Sequence, residues 1–401
     1  MSLELIVDTG IAKLDEILGG GVKRGSSTLI VSIPGLDPQP FMLQMMYNSI
    51  SKGRKCIYYV DNKFPSAVKA QMSDFKLWEK KNIDKAIFVD GFAAKTGTPS
   101  SEKYYLPSVD IKKTSEVIKK AVDENRDGTV LFYEGYELTA LTHGAEKALT
   151  LLDDLMATAI AGQATSVMSI VNWDFPESFV DDVKKRFDYI VMLDSIEERF
   201  LMRHYFSVEK SPTAFNRLVV PYRTGMDGIG VYVPKILVTG PFHSGKSTFI
   251  QKISTRAVSV DRMGTTIALD HGFIDHSGIG ADLFGTPGQE RFEFMLDILK
   301  RDAFGVLLLV DATDAATFKR GMEMLKHVRK EAIPYAIAVN KQDIPGALSA
   351  DEVRKMMGIP DDVPMVGTSA ITGKGCVEAV KDLIDLVILR KMKTPKGGKK
   401  S

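Results

Sequence analysis

The chain has 401 residues, 44% hydrophobic and 26% charged, which is ordinary globular composition with room for two or three domains. Its 52 basic and 51 acidic side chains cancel, so no overall field favours nucleic acid or an anionic surface as partner. Two cysteines, Cys56 and Cys376, make neither a disulfide framework nor a zinc site and suit a reducing cytoplasm.

Residues 9–26, beginning Thr9-Gly10 and passing Leu14-Asp15 to Gly19-Gly20-Gly21, predict a short amphipathic helix ended by glycine. Thr28-Leu29-Ile30-Val31-Ser32 predicts a buried strand, and 41–52 a helix with Phe41, Leu43, Met45, Met46 and Ile50 apolar. A strand at 56–60, a helical segment at 63–75 and a strand at 86–90 follow. Residues 91–109 are rich in Thr, Ser, Lys and Pro and read as a long exposed loop. Helix is expected at 111–122 and 137–161, and strand at 129–134, 165–171, 188–193 and 200–209. Residues 221–234 read as a turn-rich connection. Strands alternating with helices predict a mostly parallel sheet covered on both faces.

The opening segment, Thr-Gly-x-x-x-Leu-Asp-x-x-Leu-Gly-Gly-Gly and then a strand, resembles the RecA/KaiC-type ATPases. Asp227-Gly228-Ile229-Gly230-Val231 resembles the closing hairpin of KaiC-like domains. The resemblance implies a RecA-like domain over residues 1–233 with an ATP cradle at Ser32-Ile33-Pro34-Gly35-Leu36-Asp37-Pro38-Gln39-Pro40. Here Asp37 replaces the glycine before the lysine, Pro38 the lysine, and Gln39 the Ser/Thr. Asp37 brings negative charge where phosphates sit, and Pro38 and Pro40 lack N–H donors. Asp61 is the one acid where the family carries a glutamate pair. Glu134 keeps the acid at its strand's end, and Lys210 alone survives of the segment that acts on a neighbour's ATP. A pseudo-ATPase is expected, kept as a surface for self-association or partner docking.

The second half centres on Ile236-Leu237-Val238-Thr239 followed by Gly240-Pro241-Phe242-His243-Ser244-Gly245-Lys246-Ser247, then Thr248. An apolar strand, a Gly-x-x-x-x-Gly-Lys-Ser loop and a helix form a phosphate cradle. Loop N–H groups wrap the β-phosphate, Lys246 reaches the β/γ oxygens, and Ser247 ligates Mg²⁺. Thr266 suits a switch threonine on the metal. In Asp282-Leu283-Phe284-Gly285-Thr286-Pro287-Gly288-Gln289, Asp282 would bind the metal through water. The Gly285 N–H would meet the γ-phosphate, and Gln289 would orient the attacking water. In Asn340-Lys341-Gln342-Asp343, Asp343 can accept from the guanine N1 and N2 edge. Thr368-Ser369-Ala370 offers backbone N–H groups to guanine O6.

This set resembles the Ras-like small GTPases, closest to the bacterial and archaeal branch of MglA-type and conservon-type GTPases, over residues 234–390. The expected fold is therefore α/β, two three-layer α/β/α domains: a RecA-like sheet, then a Ras-like P-loop GTPase. The basic residues 391–401 read as a disordered tail. The resemblance implies GTP/GDP and Mg²⁺ as ligands, with Gln289, Lys246 and Thr266 catalytic. The GTP-binding set is Gly240, Phe242, His243, Ser244, Gly245, Lys246, Ser247, Thr248, Gly285, Asn340, Lys341, Asp343, Ser369 and Ala370. Ser247, Thr266 and Asp282 form the metal set. It also implies protein effectors or an activator, among them a roadblock-fold protein, and a homo-oligomer through the RecA-like domain. Phe242 and His243 stand where Ras-type loops leave room for an activator's arginine. A GTP-hydrolysing switch is the expected function. A DNA-binding accessory factor regulated by the GTPase and a scaffold that binds GTP without turnover are the alternatives. No run reaches the ~20 apolar residues of a membrane span, Ser2 is not a myristoylation glycine, and no cysteine near the C-terminus invites prenylation. A cytoplasmic location without stable membrane insertion is expected.

Overall fold

The computed structural model describes residues 5–391 except 77, 127, 199–200, 214, 216–217, 260–269, 277–278, 287–302 and 329–332. The chain divides into two compact units, Met1–Gly230 and Val231–Ser401.

In the first unit one sheet runs in the order Val219–Gly225, Leu201–Lys210, Tyr189–Glu198, Ser27–Ser32, Thr165–Val171, Val130–Tyr133, Cys56–Val60, Ile87–Asp90, Tyr104–Tyr105. From Tyr189–Glu198 through to Tyr104–Tyr105 every pairing is parallel; Leu201–Lys210 turns antiparallel against its neighbours. Strands buried on both faces read as continuous apolar runs, and all of Ser27–Ser32 and Cys56–Val60 is buried. One face carries the helices Ile111–Glu124 and Ala145–Ala161, whose Ile118, Val122, Leu151 and Leu155 meet Leu29, Ile57, Leu131 and Tyr133 in one core.

Local chemistry alters several sequence expectations. The opening helix is only Ala12–Ile17, because the Asp15 carboxylate draws in the N–H groups of Thr9 and Gly10 ahead of it. Residues 91–109 are not one loop. Buried Asp90 accepts from the Phe92 and Ala93 N–H groups and starts the helix Phe92–Thr96, and the strand Tyr104–Tyr105 follows. The expected helix at 137–161 is two, Tyr136–His143 and Ala145–Ala161, broken at Gly144 with φ +85°. The stretch 221–234 is mostly strand, with turn confined to Met226-Asp227. Val219–Gly225 turns at Met226-Asp227 into Gly228–Thr239, with a register shift between Val233 and Ile236 around Pro234, which has no N–H for the ladder.

In the second unit the order is Arg256–Ser259, Asp270–His276, Ile279–Gly285, Gly228–Thr239, Gly305–Asp311, Tyr335–Asn340, Met365–Gly367. The first two pairings are antiparallel and the rest parallel. Gly305–Asp311 and Tyr335–Asn340 are buried along their whole length. The helices are Lys246–Ile253, Phe318–Val328, Ala350–Met357 and Cys376–Lys391. Ser349 and Glu352 cap Ala350–Met357 reciprocally, and Gly358 ends it in the left-handed conformation. Both units are α/β folds whose parallel strands lead into loops at one edge.

Candidate functional site

The strand Gly228–Thr239 delivers the chain to Gly240, whose φ is +148°; a Cβ there would stand 2.2 Å from the Leu309 carbonyl oxygen. Gly245 has φ +94°, and its Cβ would stand 2.4 Å from Asn340 Nδ2. Both glycines are required by backbone conformation and by space together. Between them His243 holds φ +65° without being glycine. Its ring lies 3.8 Å, centroid to centroid, from that of Phe242, which is 52% exposed.

Helix Lys246–Ile253 starts directly behind this loop. Lys246 is buried, and its Nζ donates to the carbonyls of Gly240 at 2.8 Å and Pro241 at 2.7 Å. Burial lowers its ammonium to about 8, with Asp270 pulling the other way. Ser247 and Thr248 are exposed at the helix start, and Ser244 is buried.

Ser247 Oγ donates to Asp270 Oδ2 at 2.5 Å. Asp282, expected on the metal, is elsewhere. Its Oδ2 accepts from Tyr232 at 2.5 Å and its Oδ1 lies 2.9 Å from His271 Nε2. The reason is strand parity: Asp282 and Gly285 are three residues apart in one strand, so they face opposite sides of the sheet. Gly285 lies level with Val238, close under the phosphate loop, and has no side chain to offer. Asp270 on the neighbouring strand fills that space. A Cβ on Gly285 would meet Asp270 Cβ at 3.0 Å. Gly285 thus serves as the opening that admits Asp270. Sequence reasoning missed Asp270. The available signal was an acid closing the run Ile267-Ala268-Leu269 beside a strand that ends in glycine. Thr266 and Gln289 lie outside the described residues.

On the far side Asn340 is a hub. Its Nδ2 donates to the Ser244 carbonyl at 2.9 Å, and its Oδ1 accepts from the Ala370 N–H at 2.9 Å and from the Thr368 hydroxyl at 3.3 Å. Lys341, at φ +70°, pairs with Asp311. Burial works against that carboxylate, yet hydrogen bonds from Lys341 and Thr313 hold it below its ordinary range. Asp343 is exposed at the loop. The expected N–H donors of the last motif are already engaged: Thr368 to Val339, Ser369 to Lys374, Ala370 to Asn340. Ser369 and Ala370 therefore wall the site with buried backbone instead of offering free N–H groups.

Comparison with known proteins agrees with both halves. The Ras family model matches residues 235–389, and the KaiC ATPase model matches residues 7–209. An uncharacterized protein of Methanocaldococcus jannaschii is 34% identical over 119 residues, covering 30% of this chain and 76% of that protein. ADP-ribosylation factor-related protein 1 of Rattus norvegicus is 26% identical over 179 residues, covering 40% of this chain and 88% of that one. A crystal structure of a KaiC-like protein from Pyrococcus horikoshii covers 57% of this chain and 99% of its own at 17% identity, with a TM-score of 0.48. With the KaiC match spanning just over half its length and the Ras match most of the remainder, the chain belongs to the KaiC family and is a fusion of that RecA-like domain with a Ras-like GTPase domain.

Proposed function

We propose that the chain is a molecular switch that binds GTP in its second unit and hydrolyses it to GDP with Mg²⁺, while the first unit serves assembly or partner docking without turnover. The observation that carries this reading is the convergence of buried Lys246 with the Ser247–Asp270 pair at one helix N-terminus, behind a loop only glycine can form. The donors fit magnesium, an oxygen-seeking cation. Ser247 and Asp270 would hold it, and bound there it would neutralise charge on the β- and γ-phosphates. Lys246 exchanges two carbonyl partners for phosphate oxygens, which restores its full charge. Asn340 fixes the loop against the base side, and Asp343 supplies the exposed carboxylate that distinguishes guanine from adenine. Gln289 and Thr266 take the water-orienting and metal-sensing roles that the family resemblance implies. A protein effector or activator, a roadblock-fold protein among the candidates, reads the two states in the cytoplasm, and the RecA-like unit supplies the self-association surface. Among the described residues no helix is long and apolar enough to cross a membrane.

Isothermal titration of the full chain with GTPγS, GDP and ATPγS tests the reading. Guanine nucleotides bind, the adenine nucleotide does not, and Lys246→Ala abolishes binding. Equal affinity for ATPγS, or binding that survives Lys246→Ala, sinks it.

A further inference from the structure

The KaiC family implies ATP and Mg²⁺ in the first unit as well, and the residues there do not fit them. At the start of the helix Gln39–Ser51 the backbone donors that would face a phosphate are spent or missing. The Gln39 N–H donates to Asp37 Oδ1 at 2.8 Å, Pro38 and Pro40 have none, and the Phe41 and Met42 N–H groups turn back to the Pro38 carbonyl. Burial, ahead of the opposing bond from Gln39, pushes the Asp37 carboxyl above its ordinary range, and Glu134 adds to the push. A phosphate at this helix start would meet carboxylates, and the N–H groups of Gln39, Phe41 and Met42 are already engaged.

The acid that would face the metal is also committed. Glu134 follows the strand Val130–Tyr133 and is only 4% exposed. Its Oε2 accepts from Gln39 Nε2 at 2.8 Å and from the Tyr58 hydroxyl at 2.5 Å. Its Oε1 accepts from Asn62 Nδ2 at 3.1 Å and stands 3.1 Å from Lys63 Nζ. Gln39 holds the position where the family places its metal-binding hydroxyl, and its amide bonds the acid directly. Lys63 supplies the positive charge.

We infer that Gln39 and Lys63 replace the nucleotide-bound cation, so that the KaiC-type cradle is closed by its own side chains and is a ligand-independent part of the fold. Lys63 acts as a tethered cation for a buried carboxylate, and removing it leaves a buried charge unpaired.

The test uses the full chain carrying Lys246→Ala, which disables the second phosphate loop and makes the result independent of the GTP reading. ATPγS with Mg²⁺ at 1 mM, as a probe concentration of about ten times a 100 µM site, gives no binding heat. Lys63→Met lowers the tryptophan-fluorescence melting midpoint by roughly 5–10 °C, and Lys63→Arg recovers most of the loss. A Lys63→Met chain that fails to fold counts as the same loss in larger measure. ATPγS·Mg²⁺ binding tighter than about 100 µM, or Lys63→Met melting like its parent, overturns the inference.

Discussion

Asp270 and Asp282 lie in adjacent strands of one sheet, and parity assigns them opposite tasks. Asp270 reaches Ser247 beside the buried Lys246, whereas Asp282 is held by Tyr232 and His271 on the other face. Asp270→Ala should therefore weaken Mg²⁺-dependent GTPγS binding by roughly 10- to 100-fold, and Asp282→Ala by less than about threefold. Titrations with Mg²⁺ and with EDTA measure both, and the reverse ranking would return the metal role to Asp282. A motif read along one strand cannot show this. The acid is supplied across the ladder, and only the pairing of Asp270–His276 with Ile279–Gly285 brings it in. Lys246 carries a second prediction. Its folded value of about 8 is below that of a free lysine, so the ligand-free fold disfavours the ammonium and gains stability as pH rises through about 8. Phosphate restores the charge, so binding takes up a proton wherever the free protein has lost it. GTPγS affinity should be flat near pH 7 and fall up to about tenfold per unit above pH 8. Titration at pH 9 in two buffers of different ionisation enthalpy should find close to one proton taken up, against nearly none at pH 7. Equal uptake at both would mean Lys246 is not the linked group.

The phosphate loop is an element built by exclusion. Its shape depends on Gly240 passing the Leu309 carbonyl and Gly245 passing Asn340, at backbone angles side chains resist. Gly240→Ala must displace a buried strand or abandon φ +148°, which costs about 2–4 kcal/mol and removes GTPγS binding. A Gly240→Ala protein with unchanged melting midpoint and affinity would mean the loop adopts another path. This element was legible in the sequence because glycine spacing, lysine and the apolar run before it all report the same strand–loop–helix order. The long buried strands were legible for a similar reason, since Leu29-Ile30-Val31 or Leu307-Leu308-Leu309 have no polar face to confuse the period. The polar stretch after Asp90 was not. Its short helix depends on one buried carboxylate collecting two N–H groups, a tertiary arrangement with no apolar periodicity. The turn at Met226-Asp227 was legible through the KaiC-like hairpin resemblance, but the strands on either side of it were hidden by Pro221 and Pro234, which read as breakers in the sequence.

At the scale of the whole chain, the two units carry the same kind of loop at the ends of parallel strands and treat it in opposite ways. One retains Gly240, Gly245, Lys246 and Ser247 with the polar groups able to accept phosphate. The other has spent its helix-start donors on Asp37, Pro38 and Glu134. Nucleotide should then stabilise one unit alone. Both tryptophans, Trp78 and Trp173, belong to the first unit, so their fluorescence follows its unfolding while calorimetry follows both. GTPγS at a hundred times its dissociation constant contributes about 2.7 kcal/mol to whatever binds it. For a unit of this size that raises a calorimetric midpoint by roughly 5–10 °C. The tryptophan midpoint should stay in place with GTPγS, and ATPγS should move neither. A tryptophan transition that climbs together with the calorimetric one would show that the units unfold as a single body. A tryptophan transition raised by ATPγS would show that the first cradle still closes on a ligand, contrary to every donor the structure accounts for there.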